Sequence, residues 1–369
     1  MKKLLVILAA IAMVGTFAAT TIAADWAMYG SARMGTWYVT EDKKGDEEGD
    51  LAWGEQGNAR FGARVKASDA VSGRMEFGVS GGNANQRLLY ADWNFGPGRM
   101  RIGQAYAPGN IFISNKVYGD DGNNLNFGGL YTGRQEEISF KFNIVEIALI
   151  KPSTGYESAL SDAVNDPNAP ADPSLNIDVM IPKIEAAVVY GQENWWVQGS
   201  LGYQTYTVKD TADFGNGDVN VDVDITSMVY GVGGMFNMAG AYIGAVVMGG
   251  TNAGVYGSWH ETAAAPTPKV SGNGSIDIDD TTTFGWNLVV GYNINDMLKV
   301  EAGYGWIQSD NDQYDKADAA QAFYVNLPIS LAPGVTITPE FGVEDQMKSA
   351  ADTDQGSDTY FGAKWQIDF

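Results

Sequence analysis

Between Tyr360 and Phe369 the side chains change character at every step. Phe361, Ala363, Trp365, Ile367 and Phe369 fall on one face, and Tyr360, Gly362, Lys364, Gln366 and Asp368 on the other. A period of two makes a β-strand with oil on one side and water on the other. Soluble strands usually run about 5–6 residues, whereas roughly 9–11 tilted residues cross a bilayer. The length therefore points to a membrane-crossing strand. With Phe369 as the terminal residue, the chain end is itself expected to belong to the wall.

The other end reads as an export signal. Lys2 and Lys3 precede an apolar run from Leu4 to Ala19, and Thr21-Ile22-Ala23 offers the small residues a signal peptidase needs. Cleavage is expected after Ala23 or Ala24, because the run is shorter than the roughly 20 residues of a spanning helix. Removing residues 1–23 from 369 leaves 346. Two lysines go with them, so 21 of the 23 basic residues remain against 45 acidic ones, a formal charge of −24. No later apolar run is long enough for a transmembrane helix, which leaves a closed barrel as the way to satisfy every backbone group in lipid. Glycine is abundant, at 46 residues, and Trp, Tyr and Phe number 10, 18 and 15, as a barrel with aromatic girdles requires. Cysteine is absent, which removes disulfides and thiol chemistry. The acidity argues against a nucleic-acid partner.

Alternation recurs along the chain. Strands are predicted over Trp26–Thr40, Asn58–Lys66, Arg74–Val79, Arg87–Phe95, Arg99–Tyr106, Glu136–Phe142, Val145–Lys151, Met180–Tyr190, Trp195–Lys209, Val221–Phe236, Ala241–Gly250, Thr281–Asn293, Leu298–Gln308, Ala320–Leu331, Val335–Asp345 and Asp358–Phe369. Long connections are predicted at Glu41–Leu51, Ala107–Arg134, Pro152–Asp178, Asp210–Asn220, Thr251–Asp280, Ser309–Asp318 and Gln346–Ser357, alternating with short ones. That rhythm is an up-and-down barrel of about sixteen strands, fourteen or eighteen being the neighbouring counts. Residues 24–369 form one domain, since cutting a barrel opens an edge.

Tyr90-Ala91-Asp92-Trp93, the Gly96-Pro97-Gly98 turn, Arg99–Gln104 and the long third loop after them resemble the general trimeric porins of Gram-negative outer membranes. Tyr324–Ile329, Ala332–Ile337 and the final Phe369 share the likeness. The resemblance implies an all-β transmembrane barrel with an inward-folded third loop. It also implies an outer-membrane location reached through the periplasm, a homotrimer, and passive diffusion of small hydrophilic solutes and ions. At the constriction it implies loop carboxylates Asp120 and Asp121 facing wall arginines Arg33, Arg60, Arg64, Arg74 and Arg101. Ordinary pairing of those arginines with Glu76 or Asp92 is the competing reading. The −24 balance, with Glu185, Glu301, Glu340 and Glu344 on the inferred lumen face, favours a mild cation preference. Small outward groups, Gly30, Ala32, Ala59 and Ala63, would let neighbouring walls approach in a trimer.

No cofactor is expected beyond divalent cations at acidic loops. Asp218, Asn220, Asp222 and Asp224 form a carboxylate ladder, but Val223 and Val229 stand where a calcium loop needs Gly and Glu. The acidic stretches Glu41–Asp50, Asp310–Asp318 and Asp352–Asp358 are candidates for holding divalent ions against lipopolysaccharide phosphates. His260 is the sole histidine, and no nucleophile or phosphate-loop motif accompanies it, so enzymatic chemistry lacks a constellation. Two further readings stay open: a sugar-selective porin guided by inward aromatics such as Tyr29, Trp196 and Tyr206, and a plugged structural or adhesive barrel. Inward-facing Ser200, Gly202, Gln204, Gly285 and Asn287 argue for an open lumen over a plugged one.

Overall fold

The computed structural model describes residues 24–43, 46–80, 82–156, 176–213, 218–270 and 276–369; the expected export signal lies outside them. Sixteen antiparallel strands close into a barrel. They are β1 (Asp25–Lys43), β2 (Asp46–Glu55 and Arg60–Lys66), β3 (Val71–Ser80), β4 (Asn83–Asn94), β5 (Arg99–Tyr106), β6 (Arg134–Phe142), β7 (Val145–Ile150) and β8 (Asn176–Asp178 and Lys183–Gln192). The second half holds β9 (Trp195–Asp213), β10 (Asp218–Met238), β11 (Ala241–Thr251), β12 (Thr281–Asn293), β13 (Lys299–Asn311), β14 (Asp318–Asn326 and Ile329–Ala332), β15 (Val335–Asp345) and β16 (Ser357–Asp368). No described helix is long and apolar enough to cross a membrane.

Closure is made by the stretch that alternates most strictly. Strand β16 pairs with β1 from Ser31↔Asp368 to Asp42↔Ser357. Gly30 and Phe369 then exchange N–H···O bonds of 2.7 and 3.0 Å, so the terminal residue is the last rung of the seam. The Phe369 ring stands on the outer face, 79% exposed, over the bare Cα of Gly30. Around the wall the outward positions are large and apolar, among them Val197, Leu201, Val232, Val247, Leu288, Phe323 and Phe341. A belt of this kind is stable against lipid and not against water. Trp26, Trp93, Tyr190, Trp195, Phe236 and Tyr292 sit at strand ends near the short turns, where an interfacial girdle belongs.

Three expectations are corrected. The predicted loop Glu41–Leu51 is mostly strand, because β1 runs to Lys43 and pairs with Asp46–Glu55. Likewise β9 and β10 pair out to Asp213↔Asp218, so the predicted loop Asp210–Asn220 is largely an extended hairpin. Both faces of such a hairpin are wet beyond the bilayer, so the pairing persists after the apolar alternation has stopped. Of the small outward groups, Gly30 seats the Phe369 ring and Ala59 and Ala63 are buried within their own wall, so they are not a free approach surface.

Inside, two loops pack on the barrel wall. The third long loop, 107–133, lies along the inner wall from β8 round to β16, and the loop 252–266 packs beside it. Ile111, Ile113, Phe127 and Leu130 of the third loop bury themselves against inward Val229, Val246, Met248, Val289 and Ile307. Inward glycines make room: a Cβ on Gly285 would meet the Gly128 backbone at 2.8 Å. The polar residues predicted to line an open lumen on this side instead hold the loops. Asn287 donates to the carbonyl of Asn124 (2.9 Å) and Gln204 to that of Ser153 (2.7 Å); Gln198, which was not among the predicted ones, does the same for Pro108 (3.0 Å) and Asn110 (3.2 Å).

The seam makes a sharp stability prediction. A Cβ on Gly362 would run into the Thr36 carbonyl oxygen and the Trp37 ring, whereas one on Gly199 meets nothing within 4 Å. Gly362→Ala should therefore lower the urea midpoint of the detergent-folded barrel by an amount worth about 1–3 kcal/mol. Gly199→Ala should stay within about 0.5 kcal/mol of the parent. Equal midpoints for the two variants would refute this account of the seam.

Candidate functional site

The third loop is pinned by wall glutamates that accept from its backbone. Glu185 on β8 takes the Gly109 N–H at 2.5 Å, with Thr132 Oγ1 and Tyr256 OH each at 3.0 Å from its other oxygen. Glu301 on β13 takes the Asn115 N–H and Nδ2, each at 2.6 Å, with Tyr324 OH at 2.6 Å and Tyr242 OH besides. Glu340 on β15 takes the N–H groups of Val117 (2.8 Å) and Tyr118 (2.9 Å), Asn326 Nδ2 (3.0 Å) and Tyr360 OH (3.1 Å). All three side chains are buried. Desolvating a carboxylate is costly, and several donors to each one offset that cost. These glutamates are therefore not water-lining charges, and the premise they supplied for cation preference falls. Glu344 is engaged too, in an ion pair with Lys116 of the loop.

The loop tip is a left-handed turn. Gly119, Asp120, Asp121, Asn123 and Asn124 all have φ between 52° and 66°, a region that Gly, Asn and Asp enter most readily. The turn delivers Asp121 between Arg33, with which it pairs closely, and Lys364 Nζ at 2.9 Å. Asn58, at the break in β2, donates to the Asp120 carbonyl (2.6 Å) and to Asp121 Oδ2 (2.8 Å).

Beside this tip lies a cavity of about 700 Å³. Six basic side chains line it, Arg60, Arg87, Lys116, Arg134, Lys299 and Lys364, against two acidic ones, Asp120 and Asp121. The five wall arginines proposed from sequence thus part company. Arg60 lines the cavity, and Arg33 reaches its edge through Asp121. Arg74 is bound to Glu76 at 2.7 Å, with Arg60 on the same carboxylate at 3.5 Å, and Arg101 grips Asp92 at 2.7 and 2.9 Å. Arg64 and Arg74 border a separate hollow with Asp25 and Asp92 near the short-turn rim. Arg87 was hidden from pattern reading by a β-bulge: Glu76 faces Leu88 but Phe77 faces Gln86, so Arg87 swings inward to Glu76 at 2.8 Å. Tyr29, Trp196 and Tyr206 do not line the cavity; Tyr29 donates to Glu76 at 2.8 Å. The aromatics that do are Tyr106, Phe112, Tyr131 and Trp259.

Asp222 and Asp224 are exposed on the outer face of β10, and Asp224 accepts from Thr207 Oγ1 at 2.6 Å. The Asp218 side chain lies outside those described. Among the described residues no group of three metal-ligating side chains is gathered. Both ring nitrogens of His260 are closed off from water and from hydrogen-bond partners, and burial pushes its pKa down to about 4.

The barrel, the seam and the inward loop define a porin-type fold. Neither a protein-family model nor a curated protein matches the chain. Among solved structures it is similar to the outer membrane channel DcaP of Acinetobacter baumannii, at 16% identity and a TM-score of 0.71, over 94% of this chain and 97% of that one. It is also similar to Salmonella typhi OmpF (14%, 0.58, 93% and 97%) and to an anion-selective porin from Comamonas acidovorans (13%, 0.56, 94% and 100%).

Two outcomes follow from this geometry. Glu340→Gln puts an amide where four donors converge, leaving buried N–H groups unpaired at about 1–3 kcal/mol each. The loop tip should come loose and raise open-channel current noise in planar bilayers; traces like the parent's would sink the latch. The folded loop around His260 rejects a proton that an unfolded chain would take up at its ordinary pKa of 6.5. Its stability is therefore full above pH 6.5 and falls by roughly 3 kcal/mol as pH drops toward 4. Proteolysis of the loop 252–266 should accelerate across that window, and His260→Gln should flatten the profile. Parallel profiles would contradict it.

Proposed function

We propose that the chain forms a water-filled channel in a Gram-negative outer membrane, through which small hydrophilic solutes diffuse passively, with anions preferred over cations at the constriction. One observation carries the reading: the cavity beside the third-loop tip has six basic side chains and two acidic ones around its edge, and although Glu76, Glu301 and Glu344 stand behind four of the six, one Glu76 serves both Arg60 and Arg87, and Arg134 pairs with no carboxylate among the described residues. The whole-chain balance of −24 after leader removal points the other way, toward cations. Fixed charges act over a screening length of about 8 Å at physiological ionic strength, so a solute at the constriction responds to the groups beside it and little to the acidic rims. A net local bias of about 1.4 kcal/mol is tenfold in partition. A neighbouring fold described as an anion-selective porin agrees with this reading. The space itself argues against a plugged structural barrel.

Arg60, Arg87 and Arg134, with Arg33, Lys364 and Asp121 at the loop tip, are the residues assigned to this bias. Arg64, Arg74 and Arg101 act lower down, as steps between the constriction and the short-turn rim. Export by the leader 1–23 and assembly as a homotrimer belong to the same reading. The trimer is supported by the Asp46–Glu55 half of β2, which among the described residues pairs on one side only and holds Leu51 and Trp53 outward, 70% and 71% exposed. A Vibrio cholerae relative in fold has been solved in a trimer form. Divalent ions bridging acidic rim loops to lipopolysaccharide phosphates complete the proposal, and loss of thermal stability on chelation would test that part.

Reversal potentials across a KCl gradient should have the anion-preferring sign, several-fold in permeability ratio, and Arg60→Gln with Arg134→Gln should move them toward zero. A cation-preferring sign would overturn the assignment.

A further inference from the structure

The cavity is lined by two unlike sets of groups. Beside the basic ones runs a chain of aromatic rings meeting edge to face, at interplanar angles of 84°, 66° and 63° in turn: Tyr106 on β5, Phe112 and Tyr131 from the two ends of the third loop, and Trp259 from the loop 252–266. Ring centroids follow one another at 5.7 Å (Tyr106 to Phe112), 5.8 Å (Phe112 to Tyr131) and 6.1 Å (Tyr131 to Trp259). Phe112 and Trp259 keep 42% and 41% of their surface exposed although they face an interior space. Apolar rings held open inside a polar channel forgo the burial that fixes such side chains elsewhere in the barrel. The Arg134 guanidinium lies 5.7 Å from the Tyr106 ring centre, and among the described residues no carboxylate pairs with it. Arg87 reaches the same tyrosine, donating to its hydroxyl at 3.3 Å.

We propose that this juxtaposition is a subsite for planar aromatic monocarboxylates, the ring lodging among the edge-to-face rings of Phe112, Tyr131 and Trp259 and the carboxylate accepting from Arg134 and Arg87. The inference rests on the channel reading and deepens it. Guanidinium groups bind carboxylates through paired N–H donors, and aromatic faces favour a flat ring over a puckered one of equal size. Neither side alone selects such a solute.

The test uses the full chain in planar bilayers. Chloride conductance comes first; its absence would defeat the channel reading, while its presence leaves the subsite to be judged separately. Benzoate should then inhibit the chloride current at a concentration about three- to ten-fold lower than cyclohexanecarboxylate, and acetate should be weaker than both. Trp259→Leu and Phe112→Leu should erase the difference between the two ring acids, Trp259→Phe should keep most of it, and Arg134→Gln should weaken benzoate several-fold. Should Trp259→Leu fail to assemble, Phe112→Leu decides alone. Equal inhibition by benzoate and cyclohexanecarboxylate, or a difference that survives loss of these rings, would overturn the subsite.

Discussion

Lipid offers no hydrogen bonds, so each N–H and C=O of a wall at membrane depth must be paired within the sheet, and the first strand must find the last. The β1–β16 seam meets that demand down to the Gly30–Phe369 rung. Once the wall is sealed by its own backbone, its inward side chains are released from holding the fold together. They can be spent on charge and on loops.

That freedom explains why glutamates sit at the most buried inward positions. A loop crossing a lumen carries backbone donors that neither strand nor helix will satisfy. A carboxylate can accept from several of them at once, and Glu185, Glu301 and Glu340 each do so. Phenol hydroxyls from Tyr256, Tyr324 and Tyr360 complete the three sites. The apolar contacts of Ile111, Ile113, Phe127 and Leu130 supply the non-directional part of the attachment. The outcome is an inner wall covered by the loop from β8 round to β16, with the left-handed tip at its far end between Arg33 and Lys364.

The seam and the strand count were legible because they follow from local alternation and from the spacing of turns, whereas the inward third loop and its Asp121 came from the likeness to the general porins and not from the pattern itself. What was not legible depended on contacts across the lumen. Glu340 looks in sequence like any polar residue on a wet face; only the arrival of Val117 and Tyr118 makes it a latch. Arg87 was not singled out, and a single extra residue in β4 shifts the parity on which inward and outward are judged there. The doubly apolar runs Val246-Val247-Met248 and Leu288-Val289-Val290 held a usable signal, since an inward valine in a water-filled barrel implies something covering it. The hairpins beyond the bilayer lost their alternation because both of their faces are wet.

The same distinction governs charge. A total of −22 is a property of the chain, whereas on the proposed channel reading an ion would meet the side chains a few ångströms away, and screening separates the two. Acids that raise the total are consumed in pairs: Glu76 is shared by Arg60, Arg74 and Arg87, Asp92 by Arg99 and Arg101, Asp121 by Arg33 and Lys364. Each carboxylate faces two or three cations, so these clusters carry a positive excess into a region where few free acids remain. An acidic protein can in this way keep a basic eye. The arrangement asks only that its carboxylates be outnumbered where the passage is narrow, and that the remainder stand on the rims.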